Sequence, residues 1–478
     1  MTRPIPRGLL LGAATAAYQV EGAVTEGGRT ASIWDTFSHT PGKVAGGATG
    51  DVACDHYHRW REDVDHMTRM GLECYRLSIA WPRVQPGGTG PLNPVGVRHY
   101  RELLTTLREA GIKPLVTLYH WDLPQELEDA GGWRNRDTAH AFADYARAMA
   151  AELGDLVHAW LTINEPLVIT YTGHLDGIHA PGLKDGRAVY AVAHHLNLAH
   201  GLAARAIKEV LPGATVGLAL NYLEMSTNDN DRDRAALAKA RLLLNDVFIA
   251  PILDGGYSPE LRALTAPVTD WSFVLPGDED LVRAPVDLFG LNYYGPHKYV
   301  ADLDPGTQDR EGVLSQNYGH APIAGPRNAL DMPVEAAGLT RVLREIHARW
   351  GVPLAITENG ACTNEPSTAT GERLADPDRV RYLHEHIGAV LDAMDAGVDV
   401  RAYCVWSLMD NFEWALGYDP RFGLLHVDYA TGVRTWKDSA YWYAQVIASR
   451  SLPDEAPAWT PAFARGDAPT RTVLSATN

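Results

Sequence analysis

The sequence predicts one α/β domain, a closed (β/α)8 or TIM barrel with long loops walling an active site at the C-terminal ends of its strands. Three features carry that expectation. Eight short apolar runs recur along the 478 residues, amphipathic helices lie between several of them, and nearly every run ends on polar or aromatic groups. A barrel gathers such ends around one pocket, whereas an open sheet would spread them along an edge.

Taken in order, GLLLGAATA leads to Gln19, CYRLSIA carries Arg76, and KPLVTLYH ends on His120 with Trp121 next. VHAWLTIN delivers Asn164 and Glu165, TVGLALN delivers Asn221, and DLFGLNYY delivers Asn292 and Tyr294. PLAITEN delivers Glu358, and VRAYCVWS contains Trp406. Before the third run, Val97, Tyr100, Leu103, Leu104 and Leu107 recur at helical spacing and Gly111 closes the helix. Phe142, Tyr145, Met149 and Leu153 repeat the pattern before Gly154, as do Val380, Leu383, Ile387, Leu391 and Met394 before Gly397. Helices feeding apolar strands imply parallel pairing with right-handed crossovers. The irregular stretches 35–56, 171–190, 300–335 and 408–432 each follow a strand and are expected to wall the pocket. Residues 1–450 are expected to form the catalytic barrel, and 451–478, rich in Pro, Ala and polar residues, a surface tail.

The chain is 46% hydrophobic and 21% charged, which suits a large core. Its 42 basic against 59 acidic residues leave a formal charge of −17 with no basic cluster, so nucleic acid and anionic membrane are not expected partners. Cys54, Cys74, Cys362 and Cys404 form no CxxC or Cys/His pattern and read as buried free thiols. His56 with His58, and His194 with His195, lack metal-ligand spacing, so no metal and no cofactor is expected. MTRPIPRGLLLGAATAAYQVEG imitates a secretory signal, but its apolar part serves better as the first strand. A cytoplasmic protein is the expectation.

AWLTINEPL and PLAITENGAC each stop on a glutamate beside an asparagine: Asn164 with Glu165, and Glu358 with Asn359. A carboxylate leaving a strand buried on both faces is costly unless something uses or pairs it. Two carboxylates in one pocket lined by Asn, Gln, His, Arg and Trp match what glycosidic bond cleavage requires: one protonated to assist the leaving group, one ionised to meet the developing cation. Arg76 is a partner for one of them, and charge logic leaves open which. Singly, each residue has a structural alternative: a glutamate in a salt bridge or helix cap, His120 as a satisfied core histidine, Trp406 and Trp414 as core aromatics, Arg76 as a barrel-interior charge. Their joint placement favours chemistry.

From about residue 8 to 445 the chain resembles glycoside hydrolase family 1, the β-glucosidase family, through ATAAYQVEGA, SIWDTF, YRLSIAWPRV, TLYHWDLP, TINEP, HAPG, LNYYG, ITENG, WSLMDNFEW, GYDPRFGLLHVDY and KDSAYWY in that order. The resemblance implies Glu165 as acid/base and Glu358 as nucleophile of a retaining β-glycosidase, acting on cellobiose, short oligosaccharides and aryl glucosides, with a small carbohydrate as its partner. It implies that Asn164 binds the sugar 2-hydroxyl and that Gln19, His120 and Glu413 bind the 3-, 4- and 6-hydroxyl region. Trp121 and Trp414 would line the same subsite, with Trp406 as its floor. Arg76 and Tyr294 would support Glu358, and Asn292 would lie close to both carboxylates. Glu165 where a thioglucosidase has glutamine implies an O-glycosidase, and Glu413, Pro420 and Phe422 replace the residues that hold a sugar phosphate. Leu9, Leu11, Ala355 and Trp436 depart from the family's usual residues without removing a catalytic group. A transglycosylase and a non-catalytic carbohydrate-binding barrel are the alternatives.

Overall fold

The computed structural model describes residues 2–301, 318–365, 372–460 and 463. Eight parallel strands close into a barrel in chain order: β1 (Leu10–Ala14), β2 (Cys74–Ser78), β3 (Lys113–Tyr119), β4 (Ala159–Asn164), β5 (Val216–Leu220), β6 (Leu288–Asn292), β7 (Leu354–Asn359) and β8 (Val400–Trp406). Each lies within the apolar run expected to form it. The three expected helices span Pro94–Glu109, Asp137–Leu153 and Pro377–Asp395.

Small and medium side chains fill the barrel. Cys74, Leu115, Ala159, Leu288, Ala355, Ala402 and Cys404 form the interior cluster, while a larger core lies between the strands and the outer helices. The helix Pro94–Glu109 shows the logic. Asn93 caps it by accepting from the Val95 N–H, Pro94 starts it with a preset φ, and Val97, Tyr100, Leu103, Leu104 and Leu107 form its buried stripe. Each such side chain contributes about 1.5–3 kcal/mol by leaving water, before the entropy of ordering it. All four cysteines are buried free thiols, as expected.

The strands that carry the two glutamates are irregular where they matter. The register of β4 on β5 shifts between Leu161 and Asn164, and that of β7 on β6 between Ile356 and Glu358. Such bulges re-aim side chains. Thr357 and Glu358 would face opposite sides of a regular strand, yet Thr357 bonds Asn292 and Glu358 bonds Arg76. Glu165, just past the other bulge, has φ 49° and donates its N–H to the Ala219 carbonyl at 2.8 Å.

Buried charges fasten the loops after β7 and β8 to each other. Lys437 Nζ lies 2.5 Å from Glu365 and 2.7 Å from Asp410, Arg421 lies 2.8 Å from Asp410, and Arg379 lies 2.6 Å from Glu365. Of the expected tail, Ser451–Pro453 pairs antiparallel with Thr2–Pro4 and Trp459 stacks on Phe463 at 4.5 Å; residues 461–462 and 464–478 lie outside the described residues. The expected wall 300–335 is likewise described only in part. Among the described residues, no helix is long and apolar enough to cross a membrane.

Gly360 leaves β7 so close to β8 that an added Cβ would meet the Trp406 carbonyl oxygen at 1.8 Å. Gly360→Ala is therefore expected to destabilise the fold by about 1–3 kcal/mol, read as a lower denaturant midpoint. An unchanged midpoint would mean that the two strand ends can separate freely.

Candidate active site

Arg76 points into the barrel from β2 and is buried. Its Nη1 donates to Glu358 Oε1 at 2.5 Å and to the Thr357 carbonyl at 3.1 Å, its Nη2 to Asn164 Oδ1 at 2.7 Å, and its Nε to Thr117 Oγ1 at 3.1 Å. The hydroxyl of Tyr294 donates to the other oxygen of Glu358 at 2.6 Å. Burial and the Glu358 charge push the Tyr294 hydroxyl well above its usual range, so it stays a donor. Glu358 thus has a cation on one oxygen and a hydroxyl on the other.

Glu165 is treated differently. Among the described residues, its Oε1 accepts only from the neutral amide of Asn292 at 2.7 Å. Burial, and next the negative charge of Glu358, push its carboxyl up to about 8. Asn292 is itself held, donating to Asn164 Oδ1 at 3.0 Å and accepting from Thr357 Oγ1 at 2.7 Å. The question that charge logic leaves open is answered by contact: Arg76 belongs to Glu358, and Glu165 keeps a proton near neutral pH.

The remaining expected residues lie around these two. His120 Nε2 is 3.1 Å from Asn164 Nδ2, and its ring lies 6.0 Å from those of Trp406 and Trp414, nearly parallel to both. Burial, then Arg76, push the imidazole well below its usual range, so it is neutral. Trp121 donates its indole N–H to the Asn164 carbonyl at 2.9 Å and packs 4.6 Å from Trp414. Gln19 donates to Asn411 Oδ1 at 3.0 Å and to the Phe412 carbonyl at 2.8 Å. Burial and the charge of Glu358 push Glu413 up to about 8. Arg76, Glu358, Tyr294, Asn164, Asn292, Glu165, His120, Trp121, Trp406 and Trp414 are therefore linked contact by contact at the strand ends, and Glu413 lies near enough to Glu358 to feel its charge. Farther along the β4 exit, His174 is buried and bonds the Ile169 carbonyl, and just past β5 Tyr222 bonds Glu345 at 3.0 Å.

Sequence reasoning missed the supporting hydroxyls of Thr117 and Thr357, whose signal was a lone polar residue inside an otherwise apolar strand. It also missed an aromatic layer behind Trp414, where Trp34 lies at 4.6 Å and Tyr18 stacks at 6.2 Å. Glu365, Asp410 and His426 lie close enough together to hold a metal ion. They do not fit one, because Lys437 already sits between the two carboxylates and Arg421 bonds Asp410.

Residues 1–452 match the family model described as glycosyl hydrolase family 1. Among curated proteins, the chain is 43% identical over 472 residues to a bifunctional β-D-glucosidase/β-D-fucosidase from Bifidobacterium breve, covering 94% of this chain and 100% of that one. It is 44% identical over 453 residues to the thermostable β-glucosidase B of Thermobispora bispora, covering 94% and 91%. Among solved structures, the family 1 β-glucosidase from Thermotoga maritima superimposes with a TM-score of 0.89 at 38% identity, covering 95% of this chain and 100% of that one.

Glu358→Gln removes the negative neighbour of Glu165 and leaves its burial. The Glu165 carboxyl, followed by carbon-13 NMR across a pH titration, is expected to titrate below the value of about 8 while staying above that of a solvated glutamate. An unmoved titration would show that the two carboxyls do not interact.

Proposed function

The chain belongs to glycosyl hydrolase family 1 and is a retaining β-glucosidase; on that premise we propose that Glu358 is its nucleophile and Glu165 its acid/base. The observation that carries the assignment is the unequal treatment of the two carboxyls. Glu358 has Arg76 and Tyr294 on its oxygens, and Glu165 has, among the described residues, only an amide and holds its proton to about 8.

In the first step Glu358 attacks the anomeric carbon. The glycosidic C–O bond breaks and Glu165 gives its proton to the departing oxygen, so a covalent glycosyl ester forms and the aglycone leaves as an alcohol. The ester neutralises Glu358, which removes the charge that helped Glu165 hold its proton. Glu165, now ionised, takes a proton from water as the water oxygen attacks the anomeric carbon. The ester bond breaks and Glu358 is restored, releasing the sugar with its β configuration retained. The two groups exchange states through each other's charge, which is why a coupled pair suits both half-reactions.

Asn164, Gln19, His120 and Glu413 are read as the hydroxyl-binding groups, with Trp121, Trp406 and Trp414 forming the apolar wall. Cellobiose, short oligosaccharides and aryl glucosides are the proposed substrates, and the name of the B. breve relative supports some β-fucosidase activity. Residues 1–450 are read as the catalytic barrel and 451–478 as a tail whose first residues are tied down by pairing with 2–4. Four free thiols support a reducing, cytoplasmic setting.

Glu358→Ala is expected to abolish turnover, with azide restoring some as the α-glycosyl azide; an azide product of β configuration would remove Glu358 from the nucleophile's role. Glu165→Ala should slow glucosides of poor leaving groups far more than 2,4-dinitrophenyl glucoside, and equal losses would count against it as the acid. Because the first step needs Glu165 protonated, kcat/KM is expected to hold below pH 8 and fall as pH rises through about 8. A profile flat to pH 10 would exclude that group as the acid.

A further inference from the structure

Two side-chain amides stand in line behind the sugar wall, and backbone carbonyls dictate which way each one faces. Asn411 Nδ2 lies 3.0 Å from the Met409 carbonyl oxygen and 3.1 Å from Ser407 Oγ. A carbonyl can only accept, so the nitrogen of Asn411 must face that way. Ser407 gives its own hydrogen to the Ala14 carbonyl at 3.0 Å, so it too accepts from Asn411. The oxygen of Asn411 is thereby turned toward Gln19, 3.0 Å from Nε2, and Nε2 also reaches the Phe412 carbonyl at 2.8 Å. Reversing the Gln19 amide would set its oxygen against two acceptors.

Both hydrogens of Gln19 Nε2 are therefore committed to the protein. Its Oε1 remains buried, with no partner among the described residues. A buried acceptor without a donor is costly until a ligand supplies one. We propose that Asn411 is a positioning residue that holds Gln19 as an acceptor alone toward the sugar, so that the enzyme selects a glycone hydroxyl able to donate. The inference rests on the reading that Gln19 faces the glycone. His120 is set in the opposite sense by the same logic. Asn164 Oδ1 is taken by donors from Arg76 and Asn292, so Asn164 Nδ2 donates to His120 Nε2 and the hydrogen of the neutral ring lies on Nδ1, which has no partner among the described residues. An amide in solution offers both polarities; this wall offers one of each, at separate atoms.

The test uses 4-nitrophenyl 1-thio-β-glucosides as competitive inhibitors, so that the electronic effect of a substituent on the reaction does not enter. Inhibition constants are compared for the parent and for its 3-deoxy, 3-deoxy-3-fluoro, 4-deoxy and 4-deoxy-4-fluoro analogues. Fluorine can accept weakly but cannot donate. At the hydroxyl that Gln19 reads, the unmodified enzyme is expected to lose affinity for the deoxy and fluoro analogues alike, by about tenfold to a hundredfold. That loss should vanish in Gln19→Ala and shrink severalfold in Asn411→Ala. If neither position 3 nor position 4 loses affinity for its deoxy and fluoro analogues alike, the proposal is overturned, without any variant having to fold. A loss undiminished in Asn411→Ala would remove Asn411 from the role. If Gln19→Ala leaves every ratio unchanged, Gln19 does not face the glycone, and the underlying reading fails rather than the polarity of the amide.

Discussion

Inside the barrel, the guanidinium of Arg76 meets the carboxylate of Glu358, the amide oxygen of Asn164, the hydroxyl of Thr117 and the carbonyl of Thr357. A buried cation survives only where its charge and its hydrogens are both met, since an unpaired one costs several kcal/mol. The rest of the pocket follows from that requirement. Glu358 takes the charge of Arg76, and the nearby Glu165 and Glu413, with no cation at hydrogen-bond distance among the described residues, are left to carry protons. The acid and the nucleophile are thus told apart by where one positive charge was placed, not by any difference between two glutamates.

Backbone irregularity puts that charge within reach. A period-two strand cannot turn consecutive residues into one pocket, and the register shifts in β4 and β7 fall just before Glu165 and Glu358. The small side chains at Ala159, Ala355 and Ala402 belong to the same solution, because the barrel interior must also hold Arg76, Thr117 and Thr357.

Much of this was legible in the sequence. Strand and helix positions could be read because periods of two and of three to four leave different marks, and eight runs ending in polar groups admit few architectures. The pairing of Arg76 with Glu358 was implied only by the family resemblance, and the residues alone left it open, because it depends on a register shift between Ile356 and Glu358 that no composition marks. Asn411 was visible within WSLMDNFEW, but its role turns on where the carbonyls of Met409 and Phe412 point. The contacts of Lys437 with Glu365 and Asp410 join residues far apart in the chain, and no short pattern reports them.

The two sides of the pocket are held by different forces. The loops after β7 and β8 hang on the buried charges of Lys437, Glu365, Asp410, Arg379 and Arg421. Much of the wall after β4 hangs on its main chain, with Ile178 N–H on the Thr172 carbonyl, Leu183 on Gly173 and Asp176 on Tyr171. Changing one member of the charged set strands the others in the interior, so those positions can drift only together. Main-chain bonds are indifferent to side-chain identity, so a residue such as Thr172, which offers its carbonyl to Ile178, can be exchanged singly. Over evolutionary time the sugar-reading half of such a pocket is bound to stay still while the other half diversifies around it.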